Sequence, residues 1–132
     1  MAANVHAVAA SAVNVPTTTE TVIATLTAFN EQQAGEFAQG VLIQATVNFL
    51  PGTGTTAVVL RIRKGSLTGT LVGVAQTTTV TAGAVTGLSC DELDTVLIQN
   101  VTYVLTAQQT GASANGTVNR VVLTAEDASA FE

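Results

Sequence analysis

Residues 41–50 read VLIQATVNFL, and their alternation of apolar and polar side chains predicts the fold class. The apolar positions are Val41, Ile43, Ala45, Val47 and Phe49, and the polar ones are Gln44, Thr46 and Asn48. Successive side chains of a β-strand point to opposite faces, and β-branched residues fit that geometry well. We therefore predict a strand here, with one face in a core and the other at a surface.

The same alternation recurs at residues 21–29, 57–63, 101–109 and 117–125. Turn-forming residues separate these segments, as in PGTG at 51–54 and NG at 115–116. About eight short strands with no helical period predict an all-β fold, an antiparallel β-sandwich or jelly roll. The predicted core residues are Val22, Leu26, Ile43, Val47, Leu60, Ile62, Tyr103, Leu105 and Leu123.

The chain divides into an extended N-terminal arm at residues 1–16, a β-sandwich domain at 17–126 and an acidic tail at 127–132. The arm is apolar and has neither a cap residue nor a charged face, which disfavours a helix. A backbone of this kind can extend the edge of a neighbouring chain's sheet. We therefore expect another chain to hold the arm.

The charge content is low and its balance is acidic. The 132 residues include four Lys and Arg against nine Asp and Glu, and 10% of the chain is charged. Nucleic acid is bound by clustered Lys and Arg, so direct nucleic-acid binding is disfavoured. No apolar run has the length of roughly 18 residues that a membrane helix needs, so no membrane partner is expected. Because the polar faces carry Thr, Gln and Asn instead of charges, we expect neighbouring subunits to cover them.

The residues that usually carry chemistry are scarce. His6 is the only histidine and Cys90 the only cysteine, so neither a catalytic triad nor an intrachain disulfide is expected. We expect Cys90 to be a small buried residue. Asp91, Glu92 and Asp94 are weak candidates for a Ca²⁺ site, but a solvated acidic turn is the preferred interpretation. The sequence therefore predicts no enzymatic activity, no catalytic residue and no cofactor.

Two parts of the sequence carry a family resemblance. Residues 57–65 read AVVLRIRKG and are followed by GTLV at 69–72, and VTYVL at 101–105 precedes GTVNR at 116–120. These stretches resemble small β-sandwich proteins encoded among bacteriophage virion genes. The resemblance covers roughly residues 57–125 and implies a jelly-roll, tumour-necrosis-factor-like module. Such modules decorate, cement or project from capsids, commonly as trimers.

Together these features predict a non-enzymatic virion structural protein, namely a homotrimeric decoration or cement protein on the capsid surface. Its partners would be copies of itself and a major capsid protein, and it would be made in the host cytoplasm. The residues predicted for the interfaces are Val5, Val8, Val13, Arg61, Arg63 and Phe131. Two alternatives stay open. One is a receptor- or glycan-binding module of a phage fibre, and the other is a bacterial surface or pilus-like subunit.

Overall fold

The computed structural model describes residues 5–29, 40–95 and 101–127, with the side chains of 12–26, 40–95 and 101–126. These residues form nine β-strands and no helix. The strands are β1 Val5–Val15, β2 Thr21–Phe29, β3 Val41–Leu50, β4 Ala57–Lys64, β5 Thr70–Leu71, β6 Gln76–Thr79, β7 Thr86–Asp94, β8 Val101–Thr110 and β9 Gly116–Asp127. The prediction of an all-β chain is confirmed.

The strands form two antiparallel sheets that face each other. The first sheet has the order β1-β9-β3-β7, and the second has the order β2-β8-β4-β5, with β6 also paired to β4. Most connections cross from one sheet to the other, and the short β5 and β6 together form one edge of the second sheet. When β5 and β6 are counted as one strand, the strand order of the two sheets is that of an eight-stranded jelly roll. The predicted antiparallel sandwich is therefore present.

The core lies between the inner faces of the two sheets. In β3 the apolar positions Val41 to Phe49 are at most 2% exposed, whereas Gln44, Thr46 and Asn48 are exposed. Tyr103, Leu105 and Leu123 are fully buried on the facing strands. Period-2 alternation thus sets both the strand and its buried face.

One predicted core residue is misplaced. The pairing of β2 with β8 shifts between Val22 and Ala24, which is the signature of a β-bulge. Ile23 consequently fills the core position and is 2% exposed, while Val22 is half-buried. The prediction for Val22 was wrong because one extra residue reverses the alternation beyond it.

The N-terminal segment is extended, but it belongs to the sandwich of its own chain. Strand β1 pairs with β9 from Val5↔Glu126 to Val15↔Gly116. Val15 is fully buried. The expectation of an arm that another chain must hold is corrected accordingly. Deleting residues 1–16 would remove an edge strand and uncover the core at Val15.

Candidate assembly surfaces

The outer face of the first sheet is polar and carries few charges. Gln44, Thr46 and Asn48 of β3 and Ser89 of β7 are exposed there. Thr46, Asn48, Gly87, Arg120 and Val122 line a shallow groove of about 480 Å³ on this face. Hydroxyl and amide groups can bond across an interface at a lower desolvation cost than charges. This face is therefore suited to close contact with another protein surface.

The outer face of the second sheet carries an ion-pair network, which we call the Glu20 cluster: Glu20, Arg61, Arg63, Thr106 and Gln108. The Arg63 guanidinium donates two hydrogen bonds to the Glu20 carboxylate, of 2.8 Å from Nε and 3.1 Å from Nη2. The Thr106 hydroxyl donates to the same carboxylate at 2.6 Å. Arg61 lies 3.5 Å from Glu20 and donates to Gln108 Oε1 at 2.8 Å. Each charged group of the cluster thus has a partner within the chain.

The electrostatics of the Glu20 cluster follow from this bidentate geometry. The hydrogen bonds from Arg63 lower the pKa of Glu20, against an opposing effect of burial. The same carboxylate raises the pKa of Arg63. Arg61 and Arg63 were predicted as interface residues, and the structure places both in this network with about one-fifth of each side chain exposed. Their charge is largely offset before any partner arrives.

A second polar cluster lies at one end of the sandwich. The Lys64 ammonium lies 2.6 Å from Asp94 Oδ2, and the Tyr103 hydroxyl donates to that oxygen at 2.7 Å. Asp94 is 5% exposed and Tyr103 is fully buried. A cavity of about 420 Å³ adjoins the pair, lined in part by Lys64, Leu71, Leu93 and Asp94. Tyr103 therefore belongs to the core, as predicted, with its hydroxyl at the core boundary.

The acidic stretch is not a turn, because β7 runs through it in register with β3 as far as Asp94. Asp91 is exposed, Asp94 is buried against Lys64, and Glu92 accepts a hydrogen bond from the Val74 N–H at 3.2 Å. Among the described residues, no three His, Cys, Asp or Glu side chains are placed to hold a metal ion. The three carboxylates are not brought together.

Gln109 organises the other end of the sandwich, and sequence reasoning missed it. Its Oε1 accepts hydrogen bonds of 2.8 Å from the Gly52 N–H and from the Thr55 hydroxyl. Its Nε2 donates to the Thr17 carbonyl at 2.8 Å and to the Ala114 carbonyl at 3.2 Å. The side chain is 1% exposed and links three loops. The alternation of β8 could have indicated that Gln109 is buried, because position 109 lies on the same face of the strand as the apolar residues of β8.

The remaining predicted residues fall in different places. Val13 is half-buried and packs against the core. Val5, Val8 and His6 lie in β1, where the structure describes the backbone, and Phe131 lies outside the described residues. Cys90 is buried, as predicted, and burial with the nearby Glu92 and Asp91 charges raises its pKa to about 11.

Two further observations concern binding to sugars and to membranes. The aromatic side chains that the structure describes, Phe49 and Tyr103, are both fully buried. Neither can therefore serve as the stacking platform on which sugar sites usually rely. Within the described ranges, no helix has the length and apolar character that crossing a membrane requires.

Comparison with known proteins finds similarity in structure alone. No protein-family model and no curated protein matches the sequence. Similar solved structures include the VP2 subviral particle of infectious bursal disease virus, with TM-score 0.57 and 12% identity over 95% of this chain and 37% of that chain. T=1 particles derived from infectious bursal virus give TM-score 0.58 and 11% identity over 95% and 36%. The T13 particle of the virus gives 0.57 and 10% over 95% and 35%.

This likeness defines the class of fold. The chain spans about a third of the length of those capsid chains. At such low identity the likeness establishes a shared fold, and a fold by itself does not fix a function. The protein is thus a jelly-roll β-sandwich of the kind found in viral capsid proteins.

Proposed function

We propose that this chain is a non-enzymatic structural protein of a virion, which binds the capsid surface as a homotrimeric decoration or cement protein. The observation that carries the proposal is a jelly-roll fold like that of the VP2 particle, combined with a polar outer face poor in charge. Its partners are copies of itself and a major capsid protein.

The contact between copies is assigned to the outer face of the first sheet. Thr46 and Asn48 offer hydroxyl and amide groups there, and the groove beside Gly87 can receive a partner's side chain. Specific interfaces combine such hydrogen bonds with a tightly packed centre. The Glu20 cluster is less suited to this role, because its charges are already paired within the chain.

The contact with the shell is assigned to β1. This strand forms one edge of the first sheet, and β9 is its partner among the described strands. A strand from a capsid protein can pair with the remaining edge over residues 5–11, before the left-handed Ala12, where backbone hydrogen bonds give affinity and side chains give selectivity. Val5, Val8 and Val13 lie on this strand and stay the proposed interface residues.

Rebinding to stripped particles tests the proposal. Particles of the virus that encodes this chain are stripped of the protein, and the purified chain is added back. The number of bound copies per particle and the temperature at which the genome is released are then measured. The intact chain should saturate the shell and raise that temperature. Thr46→Lys should reduce both effects, since it places an ammonium on the polar face, whereas Thr77→Lys on exposed β6 should not. Absence of binding by the intact chain would refute the proposal.

A further inference from the structure

The described strands leave four sheet edges, which are formed by β1, by β7, by β2 and by β5 together with β6, and these edges differ in how well they could receive another strand. The β2 pairing shifts twice against β8, and β5 and β6 are two and four residues long. In β1 the backbone of Ala12 takes the left-handed conformation, with φ of 57°. By contrast, β7 pairs with β3 from Asp94 to Thr86 without a shift. Among the described residues, β7 therefore offers the longest regular edge.

This edge lacks Lys, Arg, Pro and a register shift, which often prevent strands from pairing. Within the described part of the chain, β3 is the strand paired with it. Its charged residues are the carboxylates Asp91, Glu92 and Asp94, and Asp94 is buried. The β7 edge can therefore receive another strand in a register that keeps these carboxylates apart.

Two exposed apolar side chains indicate which strand fits. Val85, just before β7, is 57% exposed, and Leu93 within β7 is 51% exposed. A single exposed apolar residue is ordinary, but these two lie at equal distances on either side of Ser89. They share the outward parity of Gly87, Ser89 and Asp91, all of which are exposed.

We infer that two copies of this chain pair antiparallel through their β7 edges, in the register centred on Ser89. In that register Leu93 lies opposite the partner's Val85, and Val85 lies opposite the partner's Leu93. Directly opposed residues of antiparallel strands have Cβ atoms about 5 Å apart, so both apolar pairs are in contact. The four-stranded first sheets join into one continuous sheet across a two-fold axis.

The charges of β7 favour the antiparallel arrangement. Asp91 lies opposite the partner's Gly87, and Glu92 lies opposite the partner's Thr86, so no two carboxylates face each other. The two Asp91 positions are offset by four residues, or about 13 Å along the strands. That offset exceeds the Debye length of about 8 Å at physiological ionic strength. A parallel pairing would instead place the acidic halves side by side.

This contact does not depend on the proposed virion role, which requires a three-fold contact between copies and none with two-fold symmetry. Where both contacts exist, the two-fold contact joins trimers to one another over a surface. Failure of the β7 contact would leave the proposed function standing, and a β7 dimer could form in a protein of any function. The two proposals are therefore tested separately.

Disulfide trapping tests the register. Ser89→Cys places two thiols opposite each other on the two-fold axis, within the range of about 4.4–6.8 Å between Cα atoms that a disulfide spans. The control is Thr25→Cys, because Thr25 is exposed on β2, in the second sheet and at the edge opposite to β5, and it belongs to neither proposed contact between copies. The buried native Cys90 stays reduced in both variants. Rapid covalent dimer formation by the first variant alone is the expected result, and equal trapping of both overturns the inference.

A concentration series in the analytical ultracentrifuge measures the same contact without cross-linking. Val85→Asp should weaken the two-fold association at least about 10-fold, because a carboxylate then lies opposite the partner's Leu93 and beside its acidic residues. Leu67→Asp is the matched control, since Leu67 is 38% exposed in the turn between β4 and β5. An unchanged association in Val85→Asp, or an equal loss in both variants, contradicts the β7 contact.

Discussion

Replacing Gln109 by methionine should be among the most damaging single changes to this fold. The substitution keeps the length of the side chain and removes its amide. The Gly52 N–H and the Thr55 hydroxyl lose their acceptor, and the carbonyls of Thr17 and Ala114 lose their donor. Three loops at one end of the sandwich are then no longer joined through a common side chain.

The size of the effect follows from the burial of these groups. The Thr55 hydroxyl is in a residue that is 4% exposed, and a buried polar group without a partner costs about 1–3 kcal/mol. The other three bonds are part-buried, so water can replace some of them, at a loss of about 0.5–1.5 kcal/mol each. We expect the free energy of unfolding to fall by about 4 kcal/mol, a large share of the roughly 5–15 kcal/mol typical of a domain.

Urea denaturation followed by circular dichroism measures this loss. The midpoint should fall with little change in the slope, and the melting temperature should drop by about 10–15 °C. Gln44→Met is the control, because Gln44 is exposed on β3 and should change stability by less than about 0.5 kcal/mol. If Gln109→Met lowered the free energy of unfolding by less than about 1 kcal/mol, the four hydrogen bonds of Gln109 would not be what stabilises the three loops.

Three further predictions concern single side chains. Glu20→Gln should lower the free energy of unfolding by about 0.5–1 kcal/mol near neutral pH. Because Arg63 lowers the pKa of Glu20 from 4.5, this difference should shrink as the pH falls below about 4.5, and a difference independent of pH in urea titrations would contradict it. The native Cys90 thiol should react with iodoacetamide at pH 8 at least about 100-fold more slowly than in urea, since its pKa is raised to about 11; comparable rates would show that the site is accessible. Gly116→Ala should lower the free energy of unfolding by about 2–3 kcal/mol, because the new Cβ would lie 2.5 Å from Gln109 Oε1 and 2.7 Å from the Phe49 ring. A neutral effect in thermal unfolding would mean that both side chains can shift.

The sequence predicted most of the fold because β3, β4 and β8 alternate cleanly. Val58, Leu60 and Ile62 were placed on the buried face of β4, and they are at most 1% exposed. Period-2 patterning is local, so a single sequence reveals it. The acidic end of β7 was misread as a turn because charged residues seldom occur in strands, and here the register with β3 outweighs that preference.

The polar sites were harder to predict because they depend on contacts between distant residues. Glu20 and Arg63 are separated by 43 residues, and the Gln109 and Thr17 partners by 92. No local sequence pattern indicates that such residues are in contact. The bulge at Ile23 and the pairing of β1 with its own β9 are also set by tertiary packing, which is why Val22 and the N-terminal arm were misassigned.

The central claim is that this jelly roll is a building block that associates with copies of itself, and its mass in solution tests that claim most directly. Light scattering coupled to size-exclusion chromatography should give three times the chain mass of 13.3 kDa. Where β7 contacts join trimers, the number of chains per particle should be a larger multiple of three. A mass of 13.3 kDa at every concentration, from a folded protein that binds no particle, would contradict the account.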